Sequence, residues 1–168
     1  QFAVVKLCWG ANVISPSEAS SPSSRNELVR ALTITLGNES LAAEAVDEAL
    51  TRALHRWSLV GSFDEPRAWV YRTARNHATS RFRRLGRDRR FAPRVATPDA
   101  AIDSLPDPEL SAALDRLSVD QRNVLVLRYF LDWPIAAISD ALDISPGTVK
   151  SRTSRALQEL NRHLGGSR

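Results

Sequence analysis

Between Ala42 and Trp57, apolar residues recur at intervals of three and four: Ala42, Ala45, Val46, Ala49, Leu50, Ala53, Leu54 and Trp57. A helix turns about every 3.6 residues, so this spacing lays them along one stripe and excludes the alternation of a half-buried strand. Trp57, on that stripe, reads as core rather than as a base-stacking ring. Glu44, Asp47, Glu48 and Thr51 fall on other faces. The same period predicts a helix from about Asn26 to Leu36, stopped by Gly37 as a C-terminal cap. It predicts another after Asp64-Glu65-Pro66, an acidic cap with proline in the first turn. The apolar stripe there is Val70, Ala74, His77/Ala78, Phe82 and Leu85, and Arg72, Arg75, Asn76, Thr79 and Arg83 share the opposite face. No stretch carries a strand signal and no segment repeats, so the expected fold class is all-α.

Charge and proline then divide the chain. From Arg67 to Arg94 there are ten arginines and one acid, Asp88; from Val95 to Asp115 there are five acids and no base. Pro93, Pro98, Pro106 and Pro108 fall across the junction. Such composition predicts an extended tether over residues 88–108, between a helical domain at 25–87 and a second at 109–168. Residues 15–24 (SPSEASSPSS) are rich in Ser and Pro, and 1–24 is expected to be loop or disordered.

The totals narrow the chemistry. A net charge of +4 over 168 residues favours a polyanionic partner. The single cysteine, Cys8, excludes an internal disulfide framework, and His55, His77 and His163 lack metal-ligand spacing. No metal, cofactor or catalytic set is expected, and the setting is expected to be reducing and cytoplasmic. No apolar run approaches the roughly 20 residues that cross a bilayer, so no membrane insertion is expected. Residues 1–14 are apolar but interrupted by Lys6, without a basic leader, which argues against a signal peptide. The chain begins at Gln1 and contains no methionine, which implies a natural start upstream or removed by processing.

The second half opens with Leu110, Leu114 and Leu117, then Ser118-Val119-Asp120-Gln121, a capping box. The helix it starts carries Val124, Leu125, Arg128, Tyr129 and Leu131, and Pro134 should break it. A short helix (Ile135, Ile138, Leu142) leads to Asp143-Ile144, and Ser145-Pro146 caps a helix through Leu164. Two short helices meeting at a tight turn, the second bearing bases, form a helix-turn-helix. Such a helix fits the major groove of DNA, where its N-terminal side chains reach base edges. Ser145, Gly147, Thr148, Lys150, Ser151 and Arg152 are small, polar or basic, and Arg155 and Arg162 follow. Val149 should lock this helix against Ile138 and Leu142. An ordinary helical hairpin with a solvated basic face remains open on the pattern alone, as it does for the Arg72/Arg75/Asn76/Arg83 face.

The run from Leu117 to Leu160, with Ile144-Ser145-Pro146-Gly147-Thr148-Val149-Lys150-Ser151-Arg152 followed by Arg155-Ala156-Leu157, resembles region 4 of the sigma-70 family, extracytoplasmic-function subgroup. AAEAVDEALTRALHRW (Ala42–Trp57) and DEPRAWVYRTARNHATSRFRR (Asp64–Arg84) are similar to region 2. The resemblance implies a non-enzymatic sigma factor that binds core RNA polymerase and promoter DNA. It implies that Ser145, Thr148, Lys150, Ser151, Arg152 and Arg155 meet the −35 element as duplex, this region also touching the polymerase β flap. It implies that Arg72, Arg75, Asn76, Thr79 and Arg83 serve the −10 element, with Asn76 and the loop Ser58–Pro66 matching the site that captures an extruded base. Glu44, Asp47, Glu48 and Thr51 would then meet the β′ coiled coil, and an anti-sigma factor becomes a possible further partner.

Three departures from the family pattern stand out, one being Glu44 and Asp47 where the polymerase-contacting helix often has Asp and Gln. Ser/Pro-rich sequence stands where region 2 usually opens with a longer helix. Ser139 and Asp143 stand where alanine and glycine are usual; Ser139 must fit between two helices, and Asp143 must adopt a left-handed turn. Ser80 also replaces a common aspartate. Two alternatives stay open: a stand-alone helix-turn-helix regulator, and a degenerate sigma homologue acting only as a protein-interaction module.

Overall fold

The computed structural model describes residues 22–88 and 107–165. Among them every regular element is helical. In chain order these are α1 (Pro22–Leu36), α2 (Glu39–His55), α3 (Trp57–Val60), α4 (Pro66–Asp88), α5 (Pro108–Asp115), α6 (Val119–Leu125) continued by a π-helical turn (Val126–Phe130), α7 (Ile135–Leu142) and α8 (Pro146–Gly165). The expected segments 1–21 and 89–106 lie outside the described residues. Residues 22–24, expected as loop, instead form the start of α1, where proline is tolerated in a first turn. At the edges of the expected linker, α4 reaches Asp88, and Asp107 caps α5 by accepting from the Glu109 and Leu110 N–H groups.

The described residues cluster into two compact units, one of 22–29 with 40–88 and one of 30–39 with 107–165. The expected first domain of 25–87 includes 30–39, which this grouping places with the second unit. The Arg30 guanidinium stands 5.4 Å from the Phe130 ring centroid, and Ile34 shares an apolar hollow with Leu110, Leu114, Leu125 and Phe130.

In the first unit the stripe of α2 is buried as expected at Leu41, Ala42, Ala45, Val46, Ala49, Leu50 and Ala53. The expectation fails at the helix end. Leu54 is 49% exposed, and Trp57 is half-buried because α2 ends at His55 and the chain turns at Arg56 before α3. Gly61 follows α3 because a Cβ there would lie 2.9 Å from the Trp57 carbonyl oxygen and 3.1 Å from its ring. On α4, Val70, Ala74 and Ala78 are buried, joined by Ala68 and Tyr71; the side chains of Phe82 and Leu85 lie outside the described residues. Ion pairs between helices of this unit include Arg25 to Asp47 at 2.6 Å, Arg67 to Glu27 at 2.7 Å and Arg81 to Glu44 at 3.3 Å.

In the second unit the capping box forms as predicted. Ser118 Oγ accepts from the Gln121 N–H, and the Ser118 N–H donates to Gln121 Oε1. The helix it begins does not run on to Pro134. It widens into the π turn and ends near Leu131, so Tyr129 is 61% exposed rather than core. Trp133, beyond that end, is fully buried; its N–H donates to the Leu127 carbonyl and its own carbonyl accepts from Arg128. Ile138, Leu142 and Val149 are all buried, and α7 packs on α8.

The turn between α7 and α8 takes the geometry that the sequence required. Asp143 is left-handed at φ 58°, ψ 47°. Ser139 Oγ donates to the Ile144 carbonyl at 2.5 Å, and the Ile144 N–H donates to the Ser139 carbonyl at 3.2 Å. Replacing Ser139 by alanine should therefore lower stability by about 1 kcal/mol, the net worth of one half-buried hydrogen bond. Urea unfolding of the Ser139→Ala variant measures this; an unchanged midpoint would show that the turn holds without the side chain.

Candidate nucleic-acid interface

The N-terminal end of α8 begins with its own cap. Ser145 Oγ accepts from the Thr148 N–H at 3.2 Å and shares a hydroxyl hydrogen bond with Thr148 at 2.9 Å, while the Ser145 carbonyl accepts from the Val149 N–H. These two hydroxyls thus order the first turn of α8, and that use explains the residue types at their spacing. Pro146 and Gly147 are exposed, and Gly147 faces open space. With Val149 and Ala156 buried, the helical period turns Ser151, Ser154, Arg155 and Gln158 outward. All four are exposed, as is Lys150 on the flank. Ser154 and Gln158 were not singled out from sequence, because an exposed serine or glutamine carries no pattern of its own.

Two of the expected arginines are already held. Arg155 Nε donates to the Ser151 carbonyl at 3.3 Å and Nη2 to Ser151 Oγ at 3.4 Å, folding the side chain back along α8. Arg152 pairs through Nη1 with Asp120 of α6 at 3.2 Å. Sequence reasoning missed Asp120, since the pair joins residues on two helices far apart in the chain.

In the first unit, Arg72, Arg75, Asn76 and Thr79 lie along α4 as expected; Arg83 is on the same helix, but its side chain lies outside the described residues. Arg72 and Arg75 are half-buried and already have partners. Thr79 Oγ1 donates to the Arg75 carbonyl. Of this set only Asn76 lines an open polar hollow of about 390 Å3, whose other walls are Arg52, Thr73, His77, Ser80 and Arg81. Asn76 faces this hollow together with Thr73, His77 and Ser80 of its own helix. Leu59 and Phe63, on the stretch 58–66, are exposed apolar side chains at 54% and 37%.

The expected polymerase-facing residues are half-exposed or exposed along α2, and each makes an internal contact. Glu44 reaches Arg81 and lies 3.6 Å from His77 Nε2. Asp47 is clasped by Arg25 through both oxygens, Glu48 pairs with Arg52, and Thr51 Oγ1 donates to the Asp47 carbonyl. The hydrogen bond from Arg25 holds the Asp47 carboxyl below its ordinary value, against a smaller opposing push from burial; the same bond raises Arg25. Among the described residues no group of three His, Cys, Asp or Glu could hold a metal ion, and no helix is long and apolar enough to cross a membrane.

Comparison with known proteins bears on this geometry. Residues 24–88 match the family described as Sigma-70 region 2, and residues 108–160 match Sigma-70, region 4. The chain is 35% identical over 135 residues to the ECF RNA polymerase sigma factor SigL of Mycobacterium tuberculosis, covering 74% of this chain and 75% of that protein. It is 30% identical over 152 residues to the ECF sigma factor SigW of Bacillus subtilis, covering 77% of this chain and 78% of that one. Among solved structures it resembles the sigma factor RpoE in a co-crystal with the anti-sigma factor NepR from Bartonella quintana. The TM-score is 0.64 at 27% identity, covering 86% of this chain and 93% of that one.

The Arg25–Asp47 clasp gives a pH signature. Because the Asp47 carboxyl is lowered in the folded chain, its contribution is complete above the ordinary Asp value of about 3.9 and is lost as pH falls through the lowered value. Asp47→Asn should lower stability at neutral pH by no more than about 1 kcal/mol, since both groups are partly exposed. In urea unfolding the gap between parent and variant should shrink in acid; a gap that widens there contradicts the assignment.

Proposed function

The chain belongs to the sigma-70 family of RNA polymerase sigma factors, in its extracytoplasmic-function group, and on that premise we propose which surface performs which step. As such it is an alternative sigma factor: it binds core RNA polymerase and directs promoter-specific initiation of transcription. The proposal concerns the division of labour. The outward face of α8 enters the major groove of the −35 element, with Lys150, Ser151, Arg152 and Arg155 reaching bases and phosphates. Ser145 and Thr148 order the helix start that approaches the DNA. Asn76, in its polar hollow, receives an extruded base of the −10 element; Arg72, Arg75, Thr79 and Arg83 lend the surrounding positive field. Glu44, Asp47, Glu48 and Thr51 present α2 to the β′ coiled coil, and the second unit meets the β flap. The domain of 25–87 and that of 109–168 divide these tasks between them.

The observation that carries this reading is the ordered corner at Ser139–Ile144, which launches a capped helix with a polar and basic outer face. The protein performs no catalysis of its own, uses no cofactor and works in the cytoplasm. An anti-sigma factor is a further partner in this reading, supported by the RpoE relative having been solved in complex with NepR.

The two surfaces should be separable by mutation. With core polymerase present, Arg155→Ala should weaken binding to duplex bearing the −35 element by about 1–3 kcal/mol if the contact is bidentate. It should leave strand opening intact once DNA is saturating. Asn76→Ala should spare duplex affinity and reduce the permanganate reactivity of −10 thymines. Normal opening by Asn76→Ala together with lost duplex affinity would reverse the assignment.

A further inference from the structure

Arg152 occupies an unusual place for a DNA-reading arginine. Its side chain is only 28% exposed, and Nη1 is engaged by Asp120 Oδ2 at 3.2 Å. Asp120 is 62% exposed and stands in the first turn of α6, directly after the Ser118 cap that fixes that turn. On α8, Arg152 lies one turn beyond buried Val149 and one turn before buried Ala156, so it borders the packed face on the side toward α6. An exposed carboxylate beside a surface that meets DNA is electrostatically unfavourable for phosphate binding. Its presence there calls for a role that offsets the repulsion.

We infer that Asp120 is a positioning and specificity-determining residue for promoter recognition: it grips one nitrogen of Arg152, aims the remaining Nε/Nη2 edge at a single guanine, and withholds the arginine charge from phosphates. A guanidinium presents five N–H donors in a fixed fork, so occupying Nη1 leaves the Nε–Nη2 pair in the geometry that guanine O6 and N7 accept. Fixing the fork beforehand removes most of the rotamer freedom that a long cation would lose on binding. The paired carboxylate also neutralises the arginine. Phosphate attraction is common to every sequence, while a base contact is not. Asp120 therefore lowers affinity for arbitrary duplex more than for the cognate element, which widens the ratio between them.

This inference rests on the reading of α8 as the −35 recognition helix, and its test separates the two. Holoenzyme assembled from the full chain and core polymerase is used to select from duplexes randomised over the upstream element, and is titrated with salt on a duplex lacking promoter sequence. The parent should enrich a defined element containing one guanine whose preference is lost in Arg152→Ala. Asp120→Asn should relax preference at that one position by about tenfold, within the range of one bidentate contact, and leave the other positions unchanged. On the non-promoter duplex it should bind more tightly, with a log–log salt slope steeper by about one as Arg152 turns to a phosphate. Asp120→Glu should restore the preference at least in part. A brace that merely supports the fold predicts instead that Asp120→Asn weakens all sequences alike without steepening the slope, and that result overturns the inference. If the parent itself enriches no upstream element, the recognition-helix reading fails and the inference falls with it. If the parent enriches one and Asp120→Asn reproduces its base preferences, only the inference fails.

Discussion

A single serine hydroxyl closes the corner from which α8 leaves. Ser139 Oγ bonds the Ile144 carbonyl while the Ile144 N–H returns to the Ser139 carbonyl. The loop between them is so short that Asp143 must turn left-handed to complete it. That reciprocal tie brings Ile138, Leu142 and Val149 into one buried contact region. It also delivers Ser145 to the position where its hydroxyl caps the next helix. The direction in which α8 leaves the corner, and hence which of its side chains face outward, follows from these few atoms.

Much of this was legible in the sequence because it depends on local chemistry. Helical period, proline and cap residues act over a few positions, and they identified α2, α4, the capping box at Ser118 and the cap at Ser145. The left-handed turn at Asp143 was legible through the family resemblance, because glycine is usual at that position. The features that escaped are those set by distant parts of the chain. Trp133 gave no periodic signal, lying between a helix end and Pro134, yet it is fully buried. The π turn that ends α6 shifts the register and turns Tyr129 outward, and no local residue announces it. The grouping of Asn76 with Arg52 and Arg81, and the pairing of Asp120 with Arg152, join helices that only tertiary packing brings together.

The electrostatics have one theme. Four acids of α2 and α6 engage a base within their own unit: Asp47 with Arg25, Glu44 with Arg81, Glu48 with Arg52 and Asp120 with Arg152. These partly exposed pairs contribute little stability individually. Their larger effect is to set where charge remains for an outside partner. Lys150 and the back-folded Arg155 keep their charge available on α8, whereas Arg152 is balanced by a neighbour.

The central claim is that this chain turns core RNA polymerase into a promoter-specific enzyme. Run-off transcription with core polymerase on a promoter library tests that most directly. The account predicts transcripts only when the chain is added, starting at a fixed distance from templates that share an upstream and a −10 element. Polymerase that binds the folded chain yet yields no added transcripts from any template would contradict it.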